Sequence, residues 1–86
     1  MYFAYIIRCA DGTLYTGYTD DIARREAMHN SGRGAKYTRS RLPVKMVYHE
    51  SFAARSDAMK REYAIKRLSR EQKLKLIAEH TNAGQE

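Results

Sequence analysis

With 86 residues the chain has room for one small domain, and 43% hydrophobic with 30% charged residues excludes a disordered polymer. One cysteine, Cys9, excludes an intramolecular disulfide and a cysteine-based metal knuckle, and no apolar run approaches the roughly 20 residues that span a bilayer. A formal net charge of +6 favours polyanionic partners, nucleic acid before an anionic membrane surface.

The first eight residues lack the basic start and long apolar run of a signal peptide. A lone thiol suits a reducing compartment, so a cytoplasmic location is expected. Residues 2–8 are rich in Tyr, Phe and Ile and read as a strand. Asp11-Gly12 is a strong hairpin signal, and residues 13–18 read as the returning strand. Gly17, near its end, marks either a bulge or a place where another group approaches the backbone.

Thr19 or Asp20 can cap a helix that runs to about Asn30 and stops at Ser31-Gly32. Ile22, Arg25 and His29 share one face of that helix. Residues 31–43 hold two glycines, one proline and many cations, and read as a loop long enough to carry function. Residues 44–49 alternate as a third strand. A second helix starts near Ser56 and runs to about Leu68, with Ala58, Glu62 and Ile65 on one face. Ser69-Arg70-Glu71-Gln72 fits a capping box that starts a third helix, whose apolar stripe is Leu74, Leu76 and Ile77. The expected architecture is α+β: one domain over residues 1–80 and a polar tail over 81–86. A small three-stranded mixed or antiparallel sheet is flanked by helices, in the order β-β-α-β-α-α.

Two features exceed what such a domain needs for folding alone. No acidic residue lies between Glu26 and Glu50, yet Arg33, Lys36, Arg39, Arg41 and Lys45 do, with Tyr37 interleaved. Cations on a loop suit phosphate contacts, and an aromatic ring can stack on a base. A solvated loop kept soluble by charge is the plainer reading. The second feature is the series Tyr5, Tyr15, Arg25, His29. Phosphodiester hydrolysis needs a proton acceptor, a cation for the pentacovalent phosphate and usually a hard metal. Taken singly, each residue has a plain alternative. Strand tyrosines pack, Arg25 can pair at the surface, and His29 suits a helix C-terminus.

The spacing of these residues resembles the GIY-YIG nuclease superfamily. Phe3-Ala4-Tyr5 and Tyr15-Thr16-Gly17 are similar to its paired signature, followed by a helix arginine, Arg25, and by His29 one turn later. Glu62, in Ala58-Met59-Lys60-Arg61-Glu62, resembles the family's metal-binding glutamate. The similarity runs to about Ile77 and looks closest to small stand-alone bacterial members. Gly34-Ala35-Lys36-Tyr37-Thr38 resembles a segment of the eukaryotic junction endonuclease of the superfamily.

The resemblance implies a nuclease with one divalent metal, Mg²⁺ or Mn²⁺, held by Glu62 and waters. It implies Tyr15 as general base, Tyr5 ordering the water or phosphate, Arg25 offsetting phosphate charge and His29 in support. Gly17 would admit a phosphate close to the backbone. The implied partner is DNA, with RNA an open alternative. Targeting would fall to DNA shape, to the basic loop or to a partner protein. Three departures stand out. The first motif keeps only its tyrosine, Tyr18 stands where some members carry lysine, and a late asparagine has no counterpart. A non-catalytic nucleic-acid-binding module of the same fold, and an adaptor for an acidic protein, are the competing readings.

Overall fold

The run Tyr2–Arg8 forms β1, the middle strand of a three-stranded antiparallel sheet in the order β2-β1-β3. Its place follows from its composition. Ala4, Tyr5, Ile6 and Ile7 are consecutive and all buried, so both faces of this strand must be covered. The computed structural model describes the backbone of residues 1–84 and the side chains of residues 1–80. Around β1 stand β2 (Leu14–Thr19), α1 (Ile22–Asn30), α2 (Lys36–Arg39), β3 (Lys45–Phe52), α3 (Arg55–Lys66) and α4 (Arg70–Gly84). Among the described residues, no helix is long and apolar enough to cross a membrane.

The two sheet faces carry separate cores. Ala4 and Ile6 pack with Tyr48, with Ile65 of α3 and with Ile77 of α4. Tyr5 and Ile7 pack on the other face with Cys9 and Val44, bordered by Tyr15, Ile22, Leu42 and Met46. The alternation of side chains along a strand makes this division. Cys9, 3% exposed, is a packing residue.

Asp11-Gly12 does make a hairpin, through a longer loop than a two-residue turn. Gly12 N–H donates to the Cys9 carbonyl at 2.9 Å and Cys9 N–H to the Thr13 carbonyl at 2.8 Å. Gly12 takes the left-handed backbone, with φ of +85°, which a residue without Cβ adopts at little cost. The cap of α1 is Asp21, one position later than expected. Its Oδ1 accepts from Arg24 N–H at 2.9 Å, while Asp20 instead pairs with the Arg24 guanidinium. The expected stop is a Schellman ending: Gly32 (φ +81°) and Arg33 donate back to the carbonyls of His29 and Met28.

The 31–43 segment is not a plain loop. It contains α2 and is fastened at several points. The Asn30 amide exchanges bonds with Val44 at 2.7 and 3.0 Å, Glu26 accepts from Met46 N–H at 2.7 Å, and Ala10 N–H donates to the Arg41 carbonyl at 2.9 Å. β3 runs three residues further than the alternation implies, because Tyr2 and Phe3 continue to pair with Phe52 and Ser51. The capping box holds: Ser69 N–H donates to Gln72 Oε1 at 2.9 Å and Gln72 N–H to Ser69 Oγ at 3.1 Å. In α4 the expected stripe is narrower. Leu76 and Ile77 pack on the sheet, whereas Leu74 is exposed. The helix continues to Gly84, and the last two residues of the expected tail lie outside the described residues.

Candidate active site

The register of β1 and β2 sets Tyr5 opposite Gly17 and Ile7 opposite Tyr15. Period-two alternation then puts Tyr5 and Tyr15 on one sheet face. The Tyr5 ring lies across Gly17, and a Cβ there would sit 2.5 Å from the phenol oxygen. The group that approaches Gly17 is therefore internal, and the glycine is accounted for by Tyr5. The face of α1 that carries Ile22, Arg25 and His29 brings His29 beneath both tyrosines. Ring centroids are 6.2 Å apart for Tyr5–His29 and 5.7 Å for Tyr15–His29, both edge-on. His29 does lie in the last turn of α1, but it is 1% exposed and so is a buried ring and not a solvated cation at the helix end.

Both nitrogens of His29 are bonded. Nε2 is 3.1 Å from Tyr5 Oη, and Nδ1 is 2.9 Å from Thr38 Oγ1. Proton bookkeeping fixes the direction. The Thr38 hydroxyl has one hydrogen and donates it to the Ala35 carbonyl at 2.9 Å. Its oxygen then accepts from His29 Nδ1–H, which leaves Nε2 as acceptor for the Tyr5 hydroxyl. This arrangement satisfies every group on the line. Burial, and secondly the Arg25 charge, hold His29 below the usual histidine range, so the ring is neutral. Burial pushes the Tyr5 phenol well above its usual value. Tyr15 and Glu62 push the same way and Arg25 opposes them. Tyr5 thus keeps its proton, which it donates in the hydrogen bond to His29, and has only lone pairs left to offer the site.

Tyr15, half-buried, stacks on Tyr37 with centroids 6.1 Å apart and planes 22° apart. The Arg41 guanidinium lies 3.9 Å over the Tyr37 ring, pairs with Asp11 at 3.2 Å and donates to the Tyr37 carbonyl at 2.7 Å. The sequence run offers Arg41 as a free phosphate contact, but folding brings it a carboxylate from a distant hairpin. Arg33, Lys36, Arg39 and Lys45 are exposed and have no ion pair among the described residues. Lys36 and Arg39 share α2 with Tyr37. Lys45 stands on β3 opposite Arg8, while its neighbour Met46 opposes Ile7 and so lies in line with Tyr15; alternation therefore turns Lys45 to the other face of the sheet.

Arg25 is half-buried and, among the described residues, its guanidinium has only a long contact to Met28 Sδ at 3.7 Å. Glu62 lies on the packed face of α3 between Ala58 and Ile65. Its side chain is 19% exposed and its partner Lys66 is 3.7 Å away. Among the described residues, no three metal-ligating side chains cluster. One half-buried, weakly paired carboxylate fits a hard cation that keeps most of its waters and borrows phosphate oxygens.

The structure therefore draws Tyr5, Tyr15, Arg25, His29 and Tyr37 together, with Glu62 close enough to act on Tyr5 electrostatically. It adds Thr38, fully buried, and Gly34, where a Cβ would overlap His29 Nδ1. They bound the run 34–38 that the family resemblance picks out, but a role for either appears only with the contact to His29.

The family model of the GIY-YIG catalytic domain matches residues 1–75. A UPF0213 protein of Staphylococcus haemolyticus is 55% identical over 91% of this chain and 95% of its own length. A UPF0213 protein of Halobacterium salinarum is 60% identical over 85% of this chain and 95% of its own. The solution NMR structure of a UPF0213 protein from Bacillus halodurans superposes with a TM-score of 0.57 at 47% identity, covering 91% of this chain and 84% of that one.

Proposed function

The chain belongs to the GIY-YIG catalytic domain family, and we propose that it is a metal-dependent DNA endonuclease that selects branched or damaged DNA in repair or recombination. We assign its work to the cytoplasm, the compartment that suits a lone reduced thiol. The observation that carries the reading is the unequal pair of tyrosines. Tyr5 is buried and its proton is committed to His29, whereas Tyr15 reaches the surface beside Arg25's helix and Tyr37.

The roles follow from that inequality. Tyr15 takes the proton of the attacking water as its own hydroxyl hydrogen passes to the solvent that its half-buried ring reaches. Tyr5, an acceptor toward the site, orients that water through its lone pairs. Arg25, without a competing carboxylate among the described residues, offsets charge on the scissile phosphate. His29 stays neutral and holds Tyr5. Glu62 would hold one Mg²⁺ or Mn²⁺, whose chemistry is to stabilise phosphate and leaving-oxygen charge. Tyr37 offers a stacking face, and Lys36 and Arg39 flank it with charge for the strand. Arg33 extends the basic surface, whereas Lys45 faces away from it.

A binding module without efficient chemistry is the second reading, favoured by Tyr18 in place of a lysine and by the missing asparagine. The test is cleavage of labelled single-stranded, duplex, flap and four-way-junction DNA with Mg²⁺ or Mn²⁺, wild type against Glu62→Ala. Metal-dependent products from wild type alone are expected. Tight, salt-sensitive binding without products would favour the module instead.

A further inference from the structure

The start of β1, the end of β2, α1 and the head of α3 meet around an open cleft of about 320 Å³. Its walls are Tyr2, Tyr18, Thr19, Asp20, Arg25 and Arg55. Two guanidinium groups from different helices line this one cleft, and neither has a carboxylate partner among the described residues. The carboxylate in the wall, Asp20, is paired with Arg24 at 2.5 Å.

Arg55 is held ready. Its Nη2 donates to Tyr18 Oη at 2.9 Å, and its guanidinium lies 5.6 Å from the centre of that ring. A cation already fixed by a neighbour loses less freedom when it binds, and the planar fork of arginine matches two phosphate oxygens at once. Neither guanidinium is neutralised by a carboxylate among the described residues, so an anion entering the cleft meets two cations. Arg25 belongs both to this cleft and to the surroundings of Tyr5 and His29.

We infer that this cleft binds a second phosphodiester of the substrate strand, neighbouring the one at Tyr5 and Tyr15, with Arg55 as its clamp and Tyr18 as the residue that holds the clamp. Arg25 is shared between the two phosphates, so the strand is fixed at two points and its direction across the site is set. The inference rests on the nucleic-acid reading above, but not on cleavage.

The test is a titration of the ¹⁵N-labelled full chain with a short oligothymidylate in metal-free buffer, following the arginine Nε–Hε signals. A parallel titration with inorganic phosphate separates a strand site from a free-anion site. The signals of Arg25 and Arg55 should move together with the oligonucleotide, which should displace phosphate. Arg55→Gln should lower affinity about fivefold at 0.1 M salt and reduce the salt slope by about 0.7, as removing one single-strand phosphate neutralisation does. Tyr18→Phe, which frees Arg55 without removing its charge, should show a smaller loss of affinity. An unmoved Arg55 signal with oligonucleotide bound, an unchanged slope in Arg55→Gln, or phosphate that the oligonucleotide fails to displace would each overturn the cleft. Failure of the wild type to bind the oligonucleotide at all would instead sink the nucleic-acid reading and the cleft with it.

Discussion

The Tyr5 phenol has one hydrogen and its destination decides what the residue can do. Because Thr38 donates to the Ala35 carbonyl, His29 is protonated at Nδ1 and Tyr5 must donate to Nε2. Thr38→Val keeps the shape and removes the hydroxyl, so the Nδ1–H loses its acceptor. ¹⁵N shifts of His29 should report the Nδ1–H form in the wild type, the Nε2–H form in Thr38→Val, and the wild-type form again in Thr38→Ser. An Nε2–H wild type would contradict the direction of the whole line. Gly17 makes a second case. Sequence alone divides it between a bulge and a close approach. Register resolves it, since Tyr5 pairs opposite and its ring occupies the space. Gly17→Ala should cost about 1–3 kcal/mol of stability through overpacking, read from urea midpoints. Unchanged stability would show that the ring can step aside.

At the scale of elements, the strands and helices are legible in the sequence because each carries its own local signal. The apolar run of β1, the Gly32 stop and the Ser69 capping box all act within a few residues. The 31–43 segment is not, because what shapes it lies elsewhere in the chain: Val44 bonded to Asn30, and Arg41 paired with Asp11. The same contrast separates its cations. Lys36→Ala with Arg39→Ala should weaken DNA binding and lower its salt slope by about 0.9 for each duplex phosphate no longer neutralised, leaving stability unchanged. Arg41→Ala should instead lower thermal stability, because it releases Asp11 and Tyr37. If the double variant bound as tightly as wild type, α2 would not lie along the strand.

Across the whole molecule, one face of the sheet packs α3 and α4, and the other packs α1 and carries the candidate site. β1 serves both through its alternation. The residue types and spacings of the family signature single out Tyr5, Tyr15, Arg25, His29 and Glu62 without any knowledge of the fold, because few other patterns share them. Thr38 and the Tyr18–Arg55 cleft are hidden from such a reading because they arise from side chains meeting across 9 and 37 positions in sequence. Burial of His29 also marks the stability of the whole fold. Its folded value is depressed, by burial first and Arg25 second, and that of His49 is depressed by burial first and His80 second. As pH falls through about 6.5 the unfolded chain takes up these protons and the native one resists. Stability should therefore be full above about pH 7 and fall between about pH 7 and 5. Urea midpoints flat over that range would contradict a buried neutral His29.

The most direct test of the site is single-turnover cleavage by Tyr15→Phe, with DNA affinity and folding measured on the same sample. Removal of one hydroxyl from a half-buried ring should abolish products while affinity stays within about twofold, a change smaller than the ~1.4 kcal/mol of a tenfold effect. Cleavage at the wild-type rate would contradict Tyr15 as the group that takes the water's proton, and loss of binding together with cleavage would make it a contact residue instead.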